Sequence, residues 1–257
     1  MDCVPYDFFE RTVFLFNSKP DLSSLSSSLW NCKLKTKTEL CLRFYILDGD
    51  IEVDCYRRDN YAPTETNSTD LKTQTFVSFS VFGHSVTVLG RNVLNEDLVY
   101  RLQMQISRVE NQVSVYIISQ KGQPLPEGIL RILQAIPRIS ILRNETCLTD
   151  TDALVSSAIQ RGSMRKLILR NLSLTHPLMQ TLATWTQDFN FKYFECSFSP
   201  SSSLTASDLV RAIGVHASKN MDRRFELSAE VDGVDQFVGE NVCIGRRSRN
   251  YFSLTRV

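Results

Sequence analysis

Net charge is nearly absent from this chain: 29 lysines and arginines stand against 28 aspartates and glutamates, leaving +1 over 257 residues. No overall field gathers nucleic acid or an anionic membrane surface. Basic residues cluster only locally, at Lys33, Lys35 and Lys37 and at Arg246, Arg247 and Arg249, and short runs of this kind read as solvated surface. A basic stripe interleaved with exposed aromatics, the footprint of nucleic-acid binding, is missing. So is any apolar run of about 18 residues, which excludes a membrane-spanning helix. The opening Met1-Asp2-Cys3-Val4-Pro5-Tyr6-Asp7 is acidic and lacks the basic and apolar regions of a signal peptide, so a cytoplasmic or nuclear location is expected. The Asn-x-Ser/Thr matches at Asn67, Asn144 and Asn171 are then taken as chance.

Recognisable reaction chemistry is missing too. Seven cysteines (Cys3, Cys32, Cys41, Cys55, Cys147, Cys196 and Cys243) are odd in number, scattered and without a C-x-x-C pair. They suit neither a disulfide framework nor a zinc site, and those in apolar runs read as small buried hydrophobes. There is no G-x-G-x-x-G, G-x-x-x-x-G-K-[ST], H-E-x-x-H or G-x-S-x-G. The three histidines, His84, His176 and His216, lie far apart. Asp50, Glu52 and Asp54 alternate with Ile51, Val53 and Cys55, so the acids share one face of a strand and the apolar groups the other. A solvated strand face accounts for them, and a calcium site needs more oxygen ligands in a suitable loop. No catalytic residue, metal or cofactor is assigned, and a non-enzymatic protein is expected.

What the chain does contain is a recurring strand–loop–helix signature. Three Leu-Thr pairs, Leu148-Thr149, Leu174-Thr175 and Leu204-Thr205, follow β-rich runs at 139–142, 166–169 and 192–196 and precede helix-like runs. Each Thr is placed to cap a helix with its hydroxyl. Thr205-x-x-Asp208 reads as an aspartate variant of the capping box, and Pro177 sits near a helix start, where a missing N–H is harmless. Units run at 113–136, 139–160, 167–187 and 193–214. The first is the least regular, with Leu125-Pro126-Glu127-Gly128 in place of Leu-Thr. Val115, Ile139, Leu167 and Tyr193 recur at 24 to 28 residues, the spacing of leucine-rich-type repeats. Parallel strands stacked side by side then bury one face against a row of helices. The other arrangement is a non-repetitive α/β sheet whose connections share only their cap chemistry.

Before these units, Leu40, Leu42, Phe44 and Ile46 alternate, Asp48-Gly49 marks a turn, and Ile51, Val53 and Cys55 alternate back, which predicts a hairpin. A second hairpin is expected from Phe76 to Phe82, turning at Gly83-His84 and returning through Val86 and Val88. Residues 57–74 read as an exposed linker, and 95–108 as a helix. Phe225–Val231 and Tyr251–Leu254 read as a final strand pair. At the other end, Phe8, Phe9, Thr12, Val13 and Phe16 share a helical face, and Asp21 can cap a short helix carrying Leu22, Leu25, Leu29 and Trp30.

The run Val4-Pro5-x-x-Phe8-Phe9-x-x-x-Val13, followed by Phe16, Asp21-Leu22, Leu25 and Trp30, resembles an F-box. The stretch from Cys147-Leu148-Thr149 through Lys166-Leu167-Ile168-Leu169, Leu174-Thr175 and Trp185 resembles the F-box-associated domain of the expanded nematode F-box families. The opening Met-Asp-x-Val-Pro-x-x-Phe is similar to large sets of nematode proteins. Together the resemblance covers about residues 4–31 and 139–214. It implies an F-box-like helical segment over 1–36 and a leucine-rich-like or F-box-associated α/β domain over 111–257; between them the alternation described above gives a β-hairpin region over 37–110 with its linker at 57–74.

The resemblance also implies a function. Val4, Pro5, Phe8, Phe9, Val13, Leu22, Leu25 and Trp30 would dock the adaptor of an SCF-type ubiquitin ligase. The body would hold a target protein through strand-to-helix loops at Arg143 to Glu145 and Arg170 to Ser173, and through any exposed strand face. Such a protein catalyses nothing itself and raises the effective concentration of its target near the ligase. A free-standing binding scaffold with no ligase role is the alternative. An unrecognised hydrolase or transferase would need a deep polar pocket with convergent titratable groups.

Overall fold

Alternating apolar residues and capped helices define eleven strands and five helices among the residues described in the computed structural model. These are 37–47, 50–64, 74–83, 92–118, 124–145, 151–188, 190–199, 202–217, 224–228, 243–248 and 251–255. In chain order the elements are β1 (Thr38–Ile46), β2 (Ile51–Arg57), β3 (Gln74–Phe82), β4 (Asn92–Val93), α1 (Glu96–Ile106), β5 (Val113–Ile118), α2 (Glu127–Gln134), β6 (Ile139–Asn144), α3 (Thr151–Gln160), β7 (Lys166–Leu172), α4 (His176–Trp185), β8 (Tyr193–Phe198), α5 (Ala206–Ala217), β9 (Arg224–Ser228), β10 (Cys243–Ser248) and β11 (Tyr251–Thr255).

The strands form one sheet in the order β10-β11-β9-β8-β7-β6-β5-β3-β1-β2-β4. From β9 through β1 every neighbouring pair is parallel. The pairs outside that run, at both ends, are antiparallel. From β5 onward strands and helices alternate, and each helix touches the next from α1 to α5. Helices on opposite faces of a sheet cannot touch, so all five share one face. The fold is therefore mixed α/β, with a mostly parallel sheet covered by helices on a single side.

Register explains the core. Cys55, Leu42, Phe79, Val115, Leu142, Leu167 and Phe194 lie side by side across seven strands. All are 0–2 % exposed. They meet Leu102, Ile106, Ile129, Ile132, Leu154, Leu178 and Leu182 from the helices in one continuous cluster. Each fully buried aliphatic or aromatic side chain contributes about 1.5–3 kcal/mol. The largest anchor is Trp185 on α4. It stands edge-on to Phe191 at 4.7 Å and to Phe194 at 6.1 Å, and its indole N–H donates to the Met164 carbonyl at 3.1 Å.

Caps follow the sequence where the residues are described. The Thr175 hydroxyl accepts from Leu178 N–H at 3.4 Å, and Pro177 lies in the first turn. The Thr205 hydroxyl accepts from Asp208 N–H at 3.2 Å, while the Asp208 carboxylate accepts from Thr205 N–H at 2.9 Å, completing the box. Asn95 caps α1 in the same manner, and Pro126 begins α2 without a side-chain cap. Thr149 lies outside the described residues.

Four expectations need correction or qualification. The first hairpin forms, with β1 and β2 paired from Ile46↔Ile51 to Leu40↔Arg57. The second does not have the form expected: β3 has parallel β1 on one edge and parallel β5 on the other, so Phe76–Phe82 has no free edge for a returning arm. Val86 and Val88 themselves lie outside the described residues. The repeat positions Ile139 and Tyr193 are not equivalent to Val115 and Leu167. The row is Val115, Leu142, Leu167 and Phe194, and Tyr193 pairs with Lys166 on the opposite face. One-residue offsets reverse the face, because side chains alternate along a strand. Part of the 57–74 linker is ordered: Arg57 N–H donates to Ala62 O, Tyr61 N–H to Arg57 O and Thr64 N–H to Cys55 O, each near 2.9 Å. This holds Tyr61 at φ 56°, with its ring stacked on Tyr56 at 5.6 Å. Finally, the regions 37–110 and 111–257 share one sheet through the β3–β5 pairing. The 1–36 segment lies outside the described residues.

Trp185→Ala removes the core anchor and should lower unfolding free energy by roughly 3–5 kcal/mol, read as a denaturant midpoint shift. An effect below about 1 kcal/mol would contradict the burial described. The Asp208 carboxyl is held below its ordinary range, chiefly by the Thr205 backbone N–H and then by the Thr205 hydroxyl. Its capping contribution is therefore complete above the unfolded carboxylate value near roughly 4 and disappears as pH falls through the depressed folded value. Asp208→Asn should flatten that part of the acid limb when Tm is followed against pH.

Candidate functional site

Helices on one side leave the second face of the sheet without a helix among the described residues. Alternation decides what stands there. Opposite Leu42 and Phe44, β1 presents Cys41, Arg43 and Tyr45; opposite Val115, β5 presents Ser114 and Tyr116; opposite Phe194 and Cys196, β8 presents Tyr193, Glu195 and Ser197. Register assembles these into rows. Tyr56, Cys41, Ser78, Ser114, Ile141, Lys166 and Tyr193 form one. Asp54, Arg43, Ser80, Tyr116, Arg143, Ile168 and Glu195 form the next.

Charges on this face are paired. Glu195, only 7 % exposed, accepts from Arg170 on β7 through one oxygen and from the Tyr193 hydroxyl at 2.8 Å through the other. Lys166 lies 4.5 Å from the centre of the Tyr193 ring. Arg143 binds Glu145, its Nε 2.6 Å from Oε1. Over β1 and β2 the chemistry is aromatic. The Arg43 guanidinium is 3.9 Å above the Tyr56 ring, Tyr61 stacks beyond it, and Tyr45 stacks on Phe82 at 5.5 Å. Burial first, then the neighbouring Cys41, pushes the Tyr56 phenol up to about 12 against the opposing pull of Arg43. The Cys41 thiol is also raised, chiefly by burial. Both stay protonated at neutral pH.

The four expected target-binding residues are partly brought together. Arg143 and Arg170 lie within strands β6 and β7 on the open face, not in loops as expected from the sequence. Glu145 directly follows β6, and half-buried Ser173 lies in the turn leading to α4. Val4, Pro5, Phe8, Phe9, Val13, Leu22, Leu25 and Trp30 lie outside the described residues. Tyr45, Tyr56, Tyr116 and Glu195 were not singled out from sequence, and Phe82 and Tyr193 were read there only as strand positions. Their signal is the same period of two that marks the core, but it becomes a surface only once the parallel strand order is known.

Among the described residues no three or more His, Cys, Asp or Glu converge to hold a metal ion. Cys41, Cys55 and Cys196 are free thiols, all buried. No described helix is long and apolar enough to cross a membrane. No protein-family model, curated protein or solved structure matches the chain.

Arg170→Met leaves the Glu195 carboxylate short of a partner in a largely dry position. It should destabilise by about 1–3 kcal/mol, the penalty for an unsatisfied buried acceptor, discounted because Arg170 is itself about one third exposed. Adding Glu195→Gln should recover most of that loss in a double-mutant cycle. Additive losses would mean that the pair is not coupled.

Proposed function

We propose that this chain is a non-enzymatic protein-interaction module that captures a partner protein on the open face of its sheet. The observation that carries the reading is the face itself: seven adjacent strands bearing aromatic rings and self-paired ions, with no described helix against it. Rings supply apolar contact at low entropic cost, and balanced charges select an electrostatically matched protein in preference to a polyanion. The unit spacing and one-sided helix layer support a leucine-rich-type organisation, in which such faces are recruiting surfaces. The F-box-like sequence over about 4–31 supports a finer reading, that the captured protein is delivered to an SCF-type ubiquitin ligase. The body then recruits, and Phe8, Phe9, Val13 and Leu25 dock the adaptor.

Co-purification from native extract, with the full chain as bait, tests both halves. Tyr116→Ala combined with Arg143→Glu should reduce partner recovery by about tenfold or more, as loss of interface anchors does, while Tm stays near wild type. Retention of every partner removes the open face as the recruiting surface. Phe9→Asp should abolish adaptor binding and leave the other partners in place. A wild-type chain that binds no adaptor at micromolar concentration leaves the free-standing scaffold.

A further inference from the structure

The centre of the open face differs from its flanks in side-chain size and in hydrogen bonding. Ser78 and Ser80 on β3 are the register partners of Ser114 and Tyr116 on β5, so their hydroxyls form a two-by-two array. Among the described residues no hydrogen bond reaches any of the four. Other hydroxyls of the sheet are used internally: Ser140 donates to the Val113 carbonyl at 3.3 Å and Tyr193 to Glu195 at 2.8 Å. The four are half-buried but open to solvent, since among the described residues the one fully buried side-chain atom without a partner is Gln105 Oε1. Side chains are also short there. Cys41, Ser78 and Ser114 are consecutive in one row and Ser80 follows in the next, with Arg43 and Ile141 as longer neighbours. One step further along the same two strands stands an apolar, half-buried pair, Phe82 and Ile118.

We infer, building on the open-face proposal, that this array receives an extended segment of the partner protein with uncharged hydrogen-bonding side chains at two alternate positions and an apolar one at the next. Spacing favours that occupant. Side chains on one face of a strand repeat at about 6.8 Å, twice the rise per residue. A segment laid along β3 and β5 therefore sets its residues i, i+2 and i+4 over Ser78–Ser114, Ser80–Tyr116 and Phe82–Ile118. Bonding favours it too. A hydroxyl both donates and accepts, as asparagine, glutamine, serine and threonine side chains do, whereas a carboxylate only accepts and an ammonium only donates. Charge gives the same answer: the flanking Arg43 and Arg143 are engaged with the Tyr56 ring and with Glu145, so no unpaired ion faces the array.

Panning a phage-displayed library of random linear peptides on the full chain tests this. Selected peptides should carry Asn, Gln, Ser or Thr at two alternate positions beside an apolar residue. Ser80→Ala, Ser114→Ala and Tyr116→Phe together should weaken their binding by about tenfold or more, as the loss of three hydrogen bonds does, with Tm near wild type. Peptides dominated by charged residues, undiminished binding to the triple variant, or a library that yields no binder overturns the inference. Tyr116→Ala with Arg143→Glu separates it from the open-face proposal. Peptides lost by that pair but kept by the triple variant leave the open face as the recruiting surface with a different occupant. Peptides kept by both variants count against the face as well.

Discussion

The hydrogen-bond register between neighbouring strands decides everything else in this molecule. It lines up Cys55, Leu42, Phe79, Val115, Leu142, Leu167 and Phe194 as one apolar row beneath the helices. No single strand and helix could bury that row, because each pair has only one neighbour's width of cover to offer. Shared burial makes the units cooperate, and Trp185 with Phe191 and Phe194 shows where the cover is densest. A slip of one residue would carry core side chains to the other face and bring polar or charged ones, such as Ser80, Arg43 or Glu195, into the core.

The same register builds the second face. With all helices on one side, the alternate residues gather on the second face as half-buried Arg43, Tyr116, Arg143, Lys166, Arg170 and Tyr193, with Tyr45 and Glu195 buried among them. Two of its cations, Arg143 and Arg170, pair with Glu145 and Glu195, and two more, Arg43 and Lys166, lie over tyrosine rings. On the binding reading proposed above, such a surface would discriminate by shape and by matched pairs, with affinity resting on slow dissociation more than on fast electrostatic capture.

Much of this was present in the sequence, for identifiable reasons. Thr175 and the Thr205–Asp208 box named their helix starts because capping is local, involving groups three residues apart. The β1–β2 hairpin was readable because both arms alternate cleanly across a short turn. The fate of β3 was not readable, because its partners β1 and β5 are set by long-range pairing and nothing within 74–82 reports on which edges will be filled. Tyr193 was assigned to the core row because Lys166-Leu167-Ile168-Leu169 and Tyr193-Phe194 are apolar on both faces, which blurs the alternation. An exposed strand face was expected, but its members were not legible, because Arg43, Tyr116 and Glu195 are remote in the chain and only strand order makes them neighbours.

Helix-to-helix contact beside strand-to-strand hydrogen bonding has a geometric consequence. Packed helices lie about 8–10 Å apart and hydrogen-bonded strands about 4.8 Å apart. Layers with such unequal steps cannot both stay straight, and the discrepancy grows with each added unit. The mismatch is taken up by tilting or splaying of the helices or by bending of the array toward its strands. On the binding reading proposed above, any such bend would set the girth of what the strands could nest, and adding or removing a unit would change it.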